Sequence, residues 1–165
     1  MKYLKLFETF TLTDLEQQYQ DAKDLYELGL IDRTGLRYVE DQLKLERYIA
    51  DGSNGYLDLY GTGIQSLGEL REVGGDLDLR GTPIQSLGKL REVRGTLNLR
   101  GTGIQSLGEL REVGGNLNLY GTPIKSLGEL TQVGRYLYLI DTPIAKTHTE
   151  REIKAMVRVR GQVLL

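Results

Sequence analysis

Apolar residues recur at fixed places in a 20-residue unit that runs in four copies from Gly55 to Gly134. The copies read GYLDLYGTGIQSLGELREVG, GDLDLRGTPIQSLGKLREVR, GTLNLRGTGIQSLGELREVG and GNLNLYGTPIKSLGELTQVG. Leucine, isoleucine, valine, glycine and threonine barely change between copies, whereas the second, fourth and sixth places change most. A fixed period of this length predicts a solenoid, in which each unit buries its apolar side against its neighbours.

Each unit contains the alternation x-Leu-x-Leu-x, at residues 56–60 in the first copy, which predicts a strand with inward leucines. Gly61 follows the strand, and we expect a positive φ there and at its equivalents. The next residue, Thr62, should be buried, and we expect its hydroxyl to bond the backbone of a neighbouring turn. The rest of the unit should return along the other side through inward-facing steps at Ile64, Leu67, Leu70 and Val73.

Residues 1–54 are not repetitive and predict an N-terminal helical cap over the first strand. One helix should begin near Thr13, and a second should run from Thr34 or Gly35 to Ala50. A DNA-binding helix-turn-helix is the alternative, but the second helix carries acidic and basic residues in equal number. The apolar face of the first helix should contain Leu15, Tyr19, Ala22, Tyr26 and Leu30.

The C-terminal residues 135–165 depart from the repeat. Residues 135–145 form a fifth unit, and residues 146–165 predict a capping helix followed by a sixth strand. Thr147 and Glu150 have capping-box spacing for that helix. The segment VRGQVLL at 159–165 aligns with VRGTLNL at 93–99, which places Val163 and Leu165 inward and Leu164 outward beside Tyr138.

The segments LDLYGTGI, LDLRGTPI, LNLRGTGI, LNLYGTPI and LYLIDTPI resemble the LxLxxNxL signature of leucine-rich repeat proteins, with Thr where Asn is usual. The resemblance covers residues 55–145, in units 55–74, 75–94, 95–114, 115–134 and 135–145, and the short unit is similar to repeats of bacterial and phage-encoded members. It implies an α/β solenoid with one parallel sheet lining a concave face. A β-helix is the alternative fold, and a second sheet through residues 64–67 would indicate it.

Composition excludes several classes of function. The chain of 165 residues has no cysteine and a net charge of −2, which argue against a thiolate enzyme, a cysteine metal site and a general nucleic-acid binder. No apolar run approaches a membrane span. We therefore expect a cytoplasmic protein that is not an enzyme and needs no cofactor or metal. The segment 1–10 also resembles phage capsid-targeting peptides, because Leu6-Phe7-Glu8 matches their cleavage motif. If the chain is phage-encoded, the expected location is the host cytoplasm or a virion.

The variable, outward places predict a surface that binds another protein or a peptide. Tyrosine and arginine are enriched at binding hot spots, and Arg80 and Arg100 lie between Tyr60 and Tyr120, where guanidinium groups and rings can stack. A carbohydrate-binding surface is an alternative. The face covers roughly 300–500 Å², which is less than the about 800 Å² that each partner of a standard interface contributes. The predicted partner-binding residues are Tyr56, Asp58, Tyr60, Asp76, Asp78, Arg80, Asn98, Arg100, Asn118, Tyr120 and Tyr138.

Apolar side chains gather at the C-terminal end of the same face and predict a second surface. An exposed apolar patch beside an edge strand favours self-association, so a homodimer or a structural scaffold is the alternative function. Its residues are Tyr136, Tyr138, Ile140 and Leu164. Asp58, Asp76 and Asp78 also have the spacing of a carboxylate pair, but an open sheet offers no enclosed pocket to raise the pKa of one of them.

Overall fold

A computed structural model describes residues 12–165, which divide into two compact units on either side of the Asp51–Gly52 bond. Residues 1–11, and with them the predicted targeting motif at residues 6–8, lie outside the described residues. Within residues 12–165, no helix combines the length and the hydropathy that crossing a bilayer requires.

The first unit is a pair of helices, α1 (Leu12–Glu27) and α2 (Arg33–Ala50), which pack on each other. Asp32 caps α2, since its side chain accepts a hydrogen bond from the N–H of Gly35 at 3.0 Å. Leu15 and Ala22 are buried on α1 as predicted. Tyr26 and Leu30 are exposed, which corrects their placement on the buried face. The capping of the first strand by these helices stays a prediction.

The second unit consists of short parallel strands that belong alternately to two sheets and are joined by turns. The first sheet has the order β1-β3-β5-β7-β9-β11 and the second the order β10-β8-β6-β4-β2. The strands of the first sheet are β1 (Leu57–Asp58), β3 (Leu77–Asp78), β5 (Leu97–Asn98), β7 (Leu117–Asn118), β9 (Leu137–Tyr138) and β11 (Val163–Leu164). Those of the second are β2 (Glu72–Val73), β4 (Glu92–Val93), β6 (Glu112–Val113), β8 (Gln132–Val133) and β10 (Arg158–Val159).

The strands of both sheets pair in register with the equivalent residue of the next coil, 20 residues away up to β9 and β8 and 26 residues away for β11 and β10. Leu77 lies opposite Leu97, and Val93 lies opposite Val113. The core of the four 20-residue coils is a stack of equivalent layers, because each of these coils sends six aliphatic side chains inward from the same positions. In the third coil these are Leu97, Leu99, Ile104, Leu107, Leu110 and Val113, all with no solvent exposure.

The single sheet predicted from the sequence is therefore incomplete, because a second parallel sheet runs through the Glu-Val steps. It does not run through residues 64–67, where a β-helix was expected to show it. Near that place the structure has only an isolated parallel bridge between Ser106 and Ser126.

The turn after each strand of the first sheet takes the predicted left-handed conformation. Gly61, Gly81, Gly101 and Gly121 have φ between 61° and 71°, and Asp141 takes the same place with φ 59°. The following threonines are buried, but their partner differs from the prediction. Each hydroxyl donates to the carbonyl three residues earlier in its own coil, such as Thr102 to Leu99 at 2.8 Å, rather than to a neighbouring turn.

The C-terminal segment contains two short helices, α3 (Pro143–Thr147) and α4 (Glu150–Met156), instead of one. The capping box joins Thr149 to Glu152, so the predicted pairing of Thr147 with Glu150 is wrong. The sixth strand is confirmed: Val163 is buried and Leu164 lies opposite Tyr138. Leu165 was predicted to be buried but is 42% exposed, since it follows β11, the edge strand of the first sheet.

Candidate functional site

The predicted binding residues share the outward face of the first sheet, because they alternate with its buried leucines. They form three columns that run across the strands about 4.8 Å apart. The first column is Tyr56, Asp76, Thr96, Asn116 and Tyr136. The second column is Asp58, Asp78, Asn98, Asn118, Tyr138 and Leu164. The third column is Tyr60, Arg80, Arg100, Tyr120 and Ile140.

The acidic and amide side chains of the second column hold the turns at the strand ends, a role that the sequence pattern did not predict. Each accepts a hydrogen bond from the backbone N–H two residues later and so closes the turn at the end of the strand. The acceptor–donor pairs are Asp58 with Tyr60 at 2.9 Å, Asp78 with Arg80 at 3.1 Å, Asn98 with Arg100 at 3.3 Å, and Asn118 with Tyr120 at 3.0 Å. One oxygen of each side chain is therefore already engaged and is less available to a ligand.

The first column forms a hydrogen-bonded ladder between coils. Asp76 Oδ1 accepts from the N–H of Thr96 at 2.6 Å, and Thr96 Oγ1 accepts from the N–H of Asn116 at 3.4 Å. Asn116 Oδ1 continues the ladder to the N–H of Tyr136 at 3.2 Å. The signal in the sequence was a short acceptor side chain at this place in three consecutive copies, with tyrosine at either end.

The third column carries the stacking predicted from the sequence. The Arg80 guanidinium carbon lies 5.0 Å from the centroid of the Tyr60 ring, and that of Arg100 lies 4.8 Å from the centroid of Tyr120. The two arginines thus lean in opposite directions along the column. Tyr60 and Arg100 are exposed and Arg80 and Tyr120 are half-buried, so all four side chains remain accessible on the outward face of the sheet.

The two arginines differ in their charge partners. Arg80 donates through Nε to both oxygens of Asp78, at 2.9 and 3.0 Å, and through Nη2 to Oδ2 at 2.5 Å. This bond and the negative charge of Asp78 raise the pKa of Arg80. The Asp78 side chain is only 10% exposed, whereas that of Arg80 is 43% exposed. Arg80 is therefore the counter-ion of a largely buried carboxylate.

Tyr120 has a partner that the sequence analysis did not identify. Asp141 raises the pKa of Tyr120, because it accepts a hydrogen bond from the hydroxyl and repels the ionised form. Asp141 replaces the glycine found at this turn in the other coils, and aspartate tolerates the left-handed conformation better than most residues. That substitution was the available signal.

A shallow cavity of about 220 Å³ lies on the same face. Its lining residues are Tyr56, Asp76, Leu77, Asp78, Thr96 and Asn98. Partial desolvation raises the pKa of Tyr56, and the nearby carboxylates, Asp58 first, act in the same direction. This end of the face is therefore its electronegative end. A wider depression, about 440 Å³, lies against α4, but it is lined only by Glu150, Arg151, Lys154 and Ala155 of that one short helix.

The residues predicted for self-association lie together on the last two strands. The Tyr136 and Tyr138 ring centroids are 6.2 Å apart with planes tilted by 55°. Leu164 pairs with Tyr138 across the strands, and β11 is the edge of the first sheet. Tyr136 is exposed, while Tyr138, Ile140 and Leu164 are half-buried. The apolar groups therefore continue the binding face to its C-terminal edge.

Exposed charged side chains near the second sheet form ion pairs between adjacent coils. Lys89 bonds Glu69 at 2.7 Å, Arg91 bonds Glu109 at 3.0 Å, and Arg111 bonds Glu129 at 3.0 Å. The bond to Lys89 lowers the pKa of Glu69. Exposed pairs of this kind contribute little stability, but they leave this side with few unsatisfied charges.

Comparison with known proteins adds no identity. Neither a family model, nor a curated protein, nor a solved structure matches the chain. Function must therefore be argued from the geometry of the face itself.

The outward face offers ring faces, guanidinium donors and apolar groups. Within residues 12–165, no group of three or more acidic, histidine or cysteine side chains is arranged to hold a metal ion. The tyrosines and arginines of the third column offer ring faces and guanidinium donors, and the C-terminal end offers apolar contact. This combination suits a peptide with both charged and apolar side chains.

Proposed function

We propose that the chain is a non-enzymatic module that binds another protein or a peptide on the outward face of the first sheet. The observation that carries the proposal is the pair of stacks in the third column, Arg80 on Tyr60 and Arg100 on Tyr120. Rigid aromatic rings and arginine are the groups that dominate binding energy in protein interfaces. The oxygens of the first two columns, in contrast, support the backbone, which favours a peptide over a sugar as the ligand.

The size of the face supports a peptide or a loop rather than a large flat partner. Three outward residues on each of six strands give roughly 300–500 Å², about half of what a partner in a standard interface contributes. A short extended segment lying along the columns needs no larger area. The partner should therefore insert a few side chains among the tyrosines and arginines.

We also propose that the solenoid belongs to the leucine-rich repeat class, in a form similar to bacterial and phage-encoded members. The support is the LxLxxTxI segment in five consecutive coils and a parallel sheet that carries it. The cytoplasm is the proposed site of action, because the chain has no cysteine to form a disulfide.

Affinity capture from the native cell tests the binding function, with Arg100→Glu as the paired variant. Arg100 is preferable to Arg80 for this purpose, because reversing Arg80 would place two carboxylates beside each other and risk unfolding. We expect a partner that is captured by the native chain and lost from the variant, while urea unfolding of the two proteins is the same. Equal capture by both would contradict the proposal.

Self-association through the C-terminal end is the second candidate function. The observation that favours it is the apolar row Tyr136, Tyr138 and Leu164 beside the edge strand β11. Two such edges can pair about a twofold axis. Light scattering on the double variant Tyr138→Asp/Leu164→Asp tests it. A smaller particle than the native one supports self-association, and an unchanged monomer argues against it.

A further inference from the structure

Arg80 and Arg100 occupy the same place in consecutive coils, yet only Arg80 forms an ion pair with a carboxylate of the face. In its coil, the residue two places earlier is Asp78, which takes the guanidinium in three hydrogen bonds of 2.5 to 3.0 Å. In the next coil that residue is Asn98. Its Oδ1 accepts only the backbone N–H of Arg100, at 3.3 Å. Arg100 forms no ion pair with any side chain in residues 12–165.

The Arg100 guanidinium is nevertheless held in place. It lies 4.8 Å from the centroid of the Tyr120 ring, and Asp141 interacts with the Tyr120 hydroxyl and raises its pKa. Stacking uses the flat side of the guanidinium and leaves the N–H groups at its edge to other acceptors. An arginine that is already ordered loses less conformational entropy when it binds a carboxylate.

The surroundings do not compete for those N–H groups. Position 98 carries a neutral amide, and the neighbouring residue of the second column, Asn118, is neutral as well. Two carboxylates lie nearby, but each already has a partner: Asp78, opposite Asn98 on the neighbouring strand, is held by Arg80, and Asp141 interacts with the Tyr120 hydroxyl. A negatively charged group that reaches Arg100 therefore meets a cation that is not paired with either of them.

We propose that Arg100 is the carboxylate-recognition residue of the binding face. It would bind an aspartate or glutamate side chain, or the C-terminal carboxylate, of the bound peptide, in the position that Asp78 fills for Arg80. The inference rests on the proposed function, and it specifies the chemistry of the partner at one point of the face.

The coils themselves supply the test variant. Asn98→Asp gives Arg100 the internal carboxylate that Arg80 has, and the fold should be retained because aspartate closes the same turn in the first two coils. Gln105→Glu adds the same charge at an exposed position outside the first sheet and serves as the control. Urea unfolding checks that both variants remain folded.

The probes are synthetic peptides chosen by selecting a random-sequence display library on the native chain. Each is made with its acidic residue, with the corresponding amide, and with a free or amidated C-terminus, so that the two sources of carboxylate are separated. We expect replacement of the recognised carboxylate by an amide to weaken binding to the native chain roughly tenfold in fluorescence anisotropy. Asn98→Asp should lower the affinity for the acidic peptide by a similar factor, and Gln105→Glu should leave that affinity unchanged.

On Asn98→Asp the acidic and amide peptides should bind within about twofold of each other, because the internal carboxylate then occupies Arg100. Selected peptides that need no carboxylate, or an Asn98→Asp variant that binds like the native chain, would overturn the inference. Tyr60→Ala tests binding on the face independently of Arg100. If Tyr60→Ala weakens binding while Asn98→Asp does not, the face binds the peptide but Arg100 is not the carboxylate-recognition residue. If neither variant matters, or no peptide is selected, the proposed function fails together with the inference.

Discussion

Replacing the buried threonines by valine measures what their hydroxyl groups contribute to the solenoid. Thr102 is 3% exposed, and its hydroxyl donates to the Leu99 carbonyl at 2.8 Å. The backbone N–H of Thr102 donates to the same carbonyl at 3.0 Å. Because this second bond remains in Thr102→Val, no buried acceptor is left unpaired. We expect a loss of about 1 kcal/mol in the free energy of unfolding, the typical net value of one hydrogen bond.

Thr142 makes the same bond and one more. Its hydroxyl donates to the Leu139 carbonyl at 2.5 Å and accepts from the N–H of Ala145 at 3.3 Å, as the N-cap of α3. Loss of an N-cap acceptor removes about 1 kcal/mol. Thr142→Val should therefore destabilise the chain by about 2 kcal/mol, roughly twice the effect of Thr102→Val.

Urea unfolding followed by circular dichroism gives both values against the native chain. Repeat proteins can unfold in parts, so the comparison requires that the three transitions have the same dependence on urea. Equal destabilisation by the two variants would refute the capping role of Thr142. A Thr102→Val variant as stable as the native chain would refute the contribution of the hydroxyl–carbonyl bond.

Three further changes test other parts of the structure. Leu99→Ala, at a position with no exposure, should cost about 2–5 kcal/mol in urea unfolding. Asp141→Gly should lower the raised pKa of Tyr120 towards its ordinary value of 10.0, which NMR of the ring measures. Because the folded pKa is raised, the contact with Asp141 stabilises the fold below pH 10. This contribution is lost as the pH rises through the folded pKa. The backbone N–H of Thr149 and, second, its hydroxyl lower the pKa of Glu152; Thr149→Ala removes only the hydroxyl bond and should raise this pKa part of the way to 4.5, and the native contribution is lost as the pH falls through the folded pKa.

The first sheet could be predicted because its period is exact and its leucines alternate. The alignment of VRGQVLL with VRGTLNL placed β11 correctly, down to the pairing of Leu164 with Tyr138. The second sheet could not be predicted in this way. Its strands have two residues, like those of the first sheet, but a segment such as residues 71–75 places one buried side chain, Val73, among charged residues and glycines, so no alternation indicates a strand.

The binding face was predictable as a set of positions but not as a set of contacts. Alternation determines which side chains face outward, and neighbouring copies determine which lie side by side, hence the stacking of Arg100 on Tyr120. The hydrogen bond from Thr96 to Asp76 depends on how closely the coils approach, and the bond between Tyr120 and Asp141 depends on the turn. The 20-residue period determines neither of these two contacts.

NMR mapping of the captured partner, or of a selected peptide, onto the backbone amides tests the central claim most directly. Binding on the outward face of the first sheet predicts chemical-shift changes concentrated at residues 58–60, 78–80, 98–100 and 118–120, with the largest around Arg100 and Tyr120. Changes confined to the second sheet, to α4 or to the helices α1 and α2 would contradict it.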